Sequence, residues 1–264
     1  MTRSVSSPSG NNISVNEEYV RIEGIAMQPY AGAVNTSGIY IGASFPNTNN
    51  DVRISHCLMK GSTTGSNYTR GVYILDANAN VTIWNTIAYA HGTATVGNGG
   101  FHFSSSNTAS CYNCTAYNNR YGFQRTTTGD VILKNCVSLG NTGNDYSGTF
   151  NTTYSDYNMS SNTSAPGTHS LHNKSASNNF VSISENSENL HLKYGADAIN
   201  AGTSLSSLFT NDIDGQVRSI PWDMGADENL IGVLAFTERT SAAGFVLDPD
   251  IGGWHGTYVA DYDG

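Results

Sequence analysis

Charge is scarce in this chain. Only 12% of its 264 residues are Asp, Glu, Lys or Arg, and 12 basic residues stand against 21 acidic ones, for a net charge of -9. Basic residues this few and scattered form no stripe for neutralising phosphates, so nucleic acid is not an expected partner. Little charge also argues against helical bundles and coiled coils, which are rich in Ala, Glu, Lys and Leu. No apolar run reaches the roughly 18 residues of a membrane-spanning helix, so membrane insertion is not expected. Prolines number six against fifteen tyrosines, which argues against a disordered low-complexity chain. Met1 to Pro8 lacks the apolar core of a signal peptide. The location expected is a virion or an extracellular one, with release by host lysis, another export route or a removed leader as the alternatives. Cysteine is limited to four residues. Cys111-x-x-Cys114 looks like half of a zinc ribbon, but no second pair has the matching spacing.

What the chain does have is Asn, Ser and Thr, about a third of all residues, and 28 glycines. That composition suits one large all-β domain. A six-residue pattern recurs: apolar, any, apolar, any, small or Asn, then Cys, Thr or Ile. It starts at Val20, Val52, Val81, Ala109 and Val131, with a worn copy at Thr152–Tyr157. A second pattern, beginning with Gly, starts at Gly38, Gly71, Gly100 and Gly122. The two series shorten in step, and period-2 alternation marks each copy as a short strand. Fixed spacing without helical segments means that each turn of chain stacks on the one before, as a parallel β-helix with strands about 4.8 Å apart.

In this arrangement Ile54, Ile83, Cys111 and Leu133 form one inward file. Asn85, Asn113 and Asn135, with Asp156 after them, occupy a bend where Asn tolerates left-handed backbone and its amide bonds a stacked neighbour. The cysteines are small interior fillers. Cys114 and Cys136 fall one turn apart, within reach of a disulfide, yet stacked in-register side chains rarely adopt disulfide torsions, so free thiols are expected.

The chain resembles the right-handed parallel β-helix proteins of the pectate-lyase-like superfamily, most closely the phage and metagenomic β-helix repeat proteins. The likeness rests on Val52–Cys57, Val81–Thr86 and Val131–Cys136. It rests also on an ending made of Tyr194–Gly202, Asp212–Arg218 and Trp222–Glu228. It implies an all-β, right-handed solenoid of six or more coils over residues 20–228, its ending closing the last coil. Residues 1–19 are then a lead-in or cap. Residues 229–264 are a C-terminal cap, or an arm through which copies or other virion subunits dock. Such folds include lyases, hydrolases, phage tailspikes and proteins without activity, so function must be argued from the site.

The Gly-initiated strands send Tyr40, Tyr73, His102 and Gln124 outward in one stripe. Rings and amides in a row suit carbohydrate, and they equally suit a plain aromatic ladder on an exposed sheet face. Hydrolysis requires two paired carboxylates, and only Asp76 lies near, with Asp145 on a more remote loop. A lyase acting on uronate polymers requires a base and a cation, for which His102, Tyr73 and Arg125, or Arg70, are the candidates. Asp212-x-Asp214-Gly215 looks like the start of a calcium loop whose remaining ligands are missing, and an Asp-capped turn explains it better. No cofactor or metal is therefore expected. The expected function is a structural or surface-display β-helix, a phage virion component that holds glycan without cleaving it. A polysaccharide lyase, or a bacterial surface protein without its leader, is the alternative.

Overall fold

The structure is a computed structural model. It describes residues 11–28, 36–42, 50–62, 69–92, 97, 99–104 and 108–229, and the strand pair at 246–247 and 254–255. Strands come in threes. β1 (Ile13–Val15), β2 (Tyr19–Glu23) and β3 (Ala26–Met27) open the series, and β4 (Thr36–Ile41), β5 (Asp51–Ser55) and β6 (Leu58–Lys60) repeat it. Then follow β7 (Thr69–Ile74), β8 (Asn80–Trp84) and β9 (Ile87–Tyr89), and β10 (Gly99–Phe103), β11 (Thr108–Tyr112) and β12 (Thr115–Tyr117). The last are β13 (Tyr121–Arg125), β14 (Asp130–Lys134), β15 (Val137–Leu139), β16 (Tyr146–Ser147) and β17 (Met159–Ser160).

These strands form three parallel sheets, ordered β1-β4-β7-β10-β13-β16, β2-β5-β8-β11-β14 and β3-β6-β9-β12-β15-β17. The result is an all-β, solenoid-like stack. Alternation explains which residues fill it. Ile22, Ile54, Ile83, Cys111 and Leu133 pair in unbroken register down the second sheet. Ile39, Val72, Phe101, Phe123 and Tyr146 do so down the first. The third sheet contributes its middle residues, Met59, Ala88 and Ala116, to the same core. The four thiols are free and buried there.

The glycine that β4, β7, β10 and β13 share at one position, Gly38, Gly71, Gly100 and Gly122, is required by space. A Cβ on Gly71 would sit 2.6 Å from the Gly100 carbonyl oxygen and 2.7 Å from the Ala88 Cβ. The bend between the second and third sheets needs left-handed backbone, and φ is +45° at Asn85, +46° at Asn113 and +55° at Asn135. His56 takes the same place at +51°.

Some boundaries differ from the sequence reading. Ile13 and Val15 pair with Ile39 and Ile41, so the stack begins inside the lead-in. The worn copy at Thr152–Tyr157 is a turn with one bridge, Lys134 to Asp156. The Asn151 side chain accepts the Thr153 and Tyr154 N–H groups, which curls the chain out of the sheet. The left-handed residue there is Tyr157, not Asp156.

After β17 the chain turns back along the third sheet through α1 (Ala176–Asn179), β18 (Phe180–Ser182) and β19 (Asn189–Leu192). Phe180, Leu190, Leu192 and Met224 pack on the outer residues Tyr89, Tyr117, Val137, Leu139 and Met159, a second core outside the first. The ending thus runs beside several successive turns. Asn85 Nδ2 donates to the Asn211 carbonyl, Asn113 Nδ2 to those of Asp223 and Gly225, and Asn135 Nδ2 to that of Thr203. Within the stack, Asn135 Nδ2 also donates to Asn113 Oδ1 at 3.0 Å, and Asn85 Nδ2 lies 3.3 Å from Nε2 of His56 in the turn before. Of residues 229–264, expected as a cap or arm, only Asn229 and the antiparallel pair β20 (Val246–Leu247) and β21 (Trp254–His255) are among the described residues.

Candidate functional site

The first sheet aligns Tyr40, Tyr73, His102 and Gln124 in register on its outer side, with Ser14 and Ser147 at the ends of the row. Tyr40 and Tyr73 have ring centroids 5.5 Å apart, and Tyr73 and His102 5.0 Å apart, each pair tilted by 36°. The Arg70 guanidinium lies 4.1 Å over the Tyr73 ring, a cation–π contact. The two tyrosines are half-buried, whereas His102 and Gln124 are each only 5% exposed. The lower half of the stripe is therefore covered rather than open. Gln124 Oε1 is buried and meets no donor among the described residues.

His102 has little freedom to act as a base. Arg70 Nε donates to its Nδ1 at 3.0 Å. An arginine N–H only donates, so the ring proton sits on Nε2, which faces Thr126 Oγ1 at 3.4 Å. Burial, reinforced by the Arg70 charge, pushes the His102 pKa down to about 4. Arg125 turns away, donating to the carbonyls of Thr127 and Thr149. Asp76 accepts the Asn78 N–H, and Asp145 accepts from Ser161 and Asn141. Of the candidates for cleavage, the structure thus gathers His102, Tyr73 and Arg70 and leaves Arg125, Asp76 and Asp145 in separate local networks.

His91 is the other displaced histidine. It is completely buried, its Nε2 donates to the Met59 carbonyl at 3.2 Å, and burial pushes its pKa down to about 4. A histidine with a depressed native pKa supplies stability that is intact above about pH 6.5 and is lost as pH falls towards 4. Asp223 and Asp227, raised by burial to about 7 and about 6, act oppositely and favour the folded state as pH falls through those values. The native slope is thus a difference, and His91→Gln isolates one contributor. Urea unfolding between pH 6.5 and 4.5 is expected to show native stability falling relative to the variant by about 1 kcal/mol per pH unit. Parallel curves would mean that His91 does not titrate in this way.

A second region was not anticipated. The outer positions Ala26, Leu58 and Ile87 of the third sheet are paired in one row. Beside them, two adjoining hollows of about 210 and 240 Å³ share Leu58, Ile87 and His191 among their lining residues. At the rim His191 Nε2 lies 2.8 Å from Asp214 Oδ2, and Asp227 is close by. Asp212 caps its turn as expected, accepting the Asp214 and Gln216 N–H groups. The sequence hid the grouping, because His191, Asp214 and Asp227 come from three segments with no fixed spacing. The Asp212-x-Asp214-Gly215 turn was the one visible trace.

No family model, curated protein or solved structure matches the chain.

Proposed function

We propose that this chain is a right-handed parallel β-helix of the pectate-lyase-like kind that serves as a rigid display scaffold on a virion or cell surface, holding glycan along its first sheet without cleaving it. The observation that carries the reading is His102, uncharged and bonded at Nδ1 by Arg70. With that lone pair engaged, the stripe offers a binding surface and no ready base. Tyr40, Tyr73 and Arg70 supply hydroxyls, partial ring faces and a guanidinium at a spacing set by the strands. That is a sugar-binding chemistry without the paired carboxylates of hydrolysis.

Affinity electrophoresis through gels loaded with neutral or uronate polysaccharides tests this reading. Retardation by at least one polymer is expected, reduced at least fivefold in apparent affinity by Tyr73→Ala, with polymer length unchanged. Release of unsaturated, ultraviolet-absorbing ends that His102→Ala abolishes would establish the lyase alternative instead. Retardation that ignores Tyr73→Ala, or none at all, would leave the stripe as an aromatic ladder that stabilises the sheet.

A further inference from the structure

We propose that His191, Asp214 and Asp227 form a binding site for one divalent transition-metal ion at the rim of the third-sheet groove. Three separate segments meet there: β19, the 212–215 turn and the 223–228 ending. One ligand atom from each residue lies within 4.8 Å of the others. One imidazole nitrogen with two carboxylate oxygens is a donor set for Zn²⁺ or Mn²⁺, and the imidazole disfavours Ca²⁺ and Mg²⁺.

The hydrogen bonds around His191 point the same way independently. Asn189 Oδ1 accepts the His191 backbone N–H at 3.2 Å, which fixes the orientation of that amide. The same oxygen lies 2.6 Å from His191 Nδ1, so Nδ1 must carry a proton and donate. In the neutral ring the lone pair is then on Nε2, aimed at Asp214 Oδ2, which can only accept. Two lone pairs facing each other at 2.8 Å require a cation, either a proton between them as in a simple ion pair or a metal ion to one side bonded to both atoms. An imidazole whose far N–H is held by an oxygen is also the usual outer arrangement of a metal-bound histidine.

Asp227 adds the third donor. It is only 5% exposed, accepts the Leu192 N–H at 2.7 Å, and makes no ion pair with Lys or Arg among the described residues. The His191 and Asp214 side chains remain 50% and 42% exposed, so an ion has an entry path and open positions facing the groove. Bound there, it ties three segments of the flank together.

Calorimetric titration of the chelator-treated, tag-free full chain with ZnCl₂ is the test, with MnCl₂ and CaCl₂ run alongside. One saturable Zn²⁺ or Mn²⁺ site per chain is expected, weakened at least tenfold by His191→Gln and by Asp214→Asn. These residues are half exposed, so both variants should keep the far-ultraviolet circular dichroism of the native chain. A rise in thermal midpoint on adding Zn²⁺, absent in both variants, is expected as well. Absence of saturable binding, preference for Ca²⁺, or equal binding in the variants would overturn the site. So would nitrogen NMR showing His191 protonated on both ring nitrogens at saturating Zn²⁺, because a proton would then be the cation.

Discussion

Arg218→Met is expected to lower the free energy of unfolding by about 3–5 kcal/mol, the loss usual when one partner of a buried ion pair is removed. Arg218 and Glu228 are paired at 3.1 Å with both side chains at 0% exposure. The remaining guanidinium hydrogens reach the Asn85 side chain, a residue of the stack, and the carbonyls of Asn211, Gly225 and Ala226. Glu228 in turn accepts the Ser219 and Asp223 N–H groups. One side chain thus joins the ending to itself and to the stack. Methionine fills much of the volume but leaves the buried Glu228 charge without its cation and takes one donor each from the Asn85 side chain and the Asn211, Gly225 and Ala226 carbonyls. Urea unfolding of Arg218→Met beside the double variant Arg218→Met/Glu228→Leu checks the cause. The double variant should recover a large part of the loss, since an apolar pair replaces a buried ionic one at little cost. A loss below about 1 kcal/mol in the single variant would mean that the network does not hold the flank.

What could be read in advance follows from period. From β4 to β14 the first two strands of each repeat are five or six residues long, enough for alternation to identify Ile54, Ile83 and Leu133 as interior. The third strand has at most three residues, as in Ile87–Tyr89 and Val137–Leu139. Alternation has no room to register there, and both end residues face a second core that exists only after the chain folds back. The bend asparagines were legible as left-handed positions, because that is a local backbone property. Their second role is non-local: the amides of Asn85, Asn113 and Asn135 are held by residues 68–126 positions away. The Tyr40–Tyr73–His102 row was visible from parity, but its burial was not, since parity says which side a residue faces and nothing about what covers it. His191 and Asp227 had no signal, being brought together by the flank alone.

Phe123→Ala should cost about 3–5 kcal/mol, the range for truncating a buried aromatic. Phe123 lies between Phe101 and Tyr146, with centroids 4.7 and 5.2 Å away and planes within 5° and 7° of parallel. Backbone pairing on both sides fixes the strands about 4.8 Å apart. The neighbouring rings therefore cannot close the gap, and the cavity persists. In an open solenoid, where each repeat touches only the next, such a defect would uncouple one end. Here residues 194–229 bond Asn85, Asn113 and Asn135 together across three turns, so the stack and its flank should unfold as one unit. Hydrogen exchange on Phe123→Ala is thus expected to show the most protected amides of β8, β11 and β14 losing protection equally. Loss confined to β14, β16 and β17, with β8 unchanged, would show that the flank does not couple the turns. The 3.1 Å Arg218–Glu228 pair would then stabilise only its own surroundings.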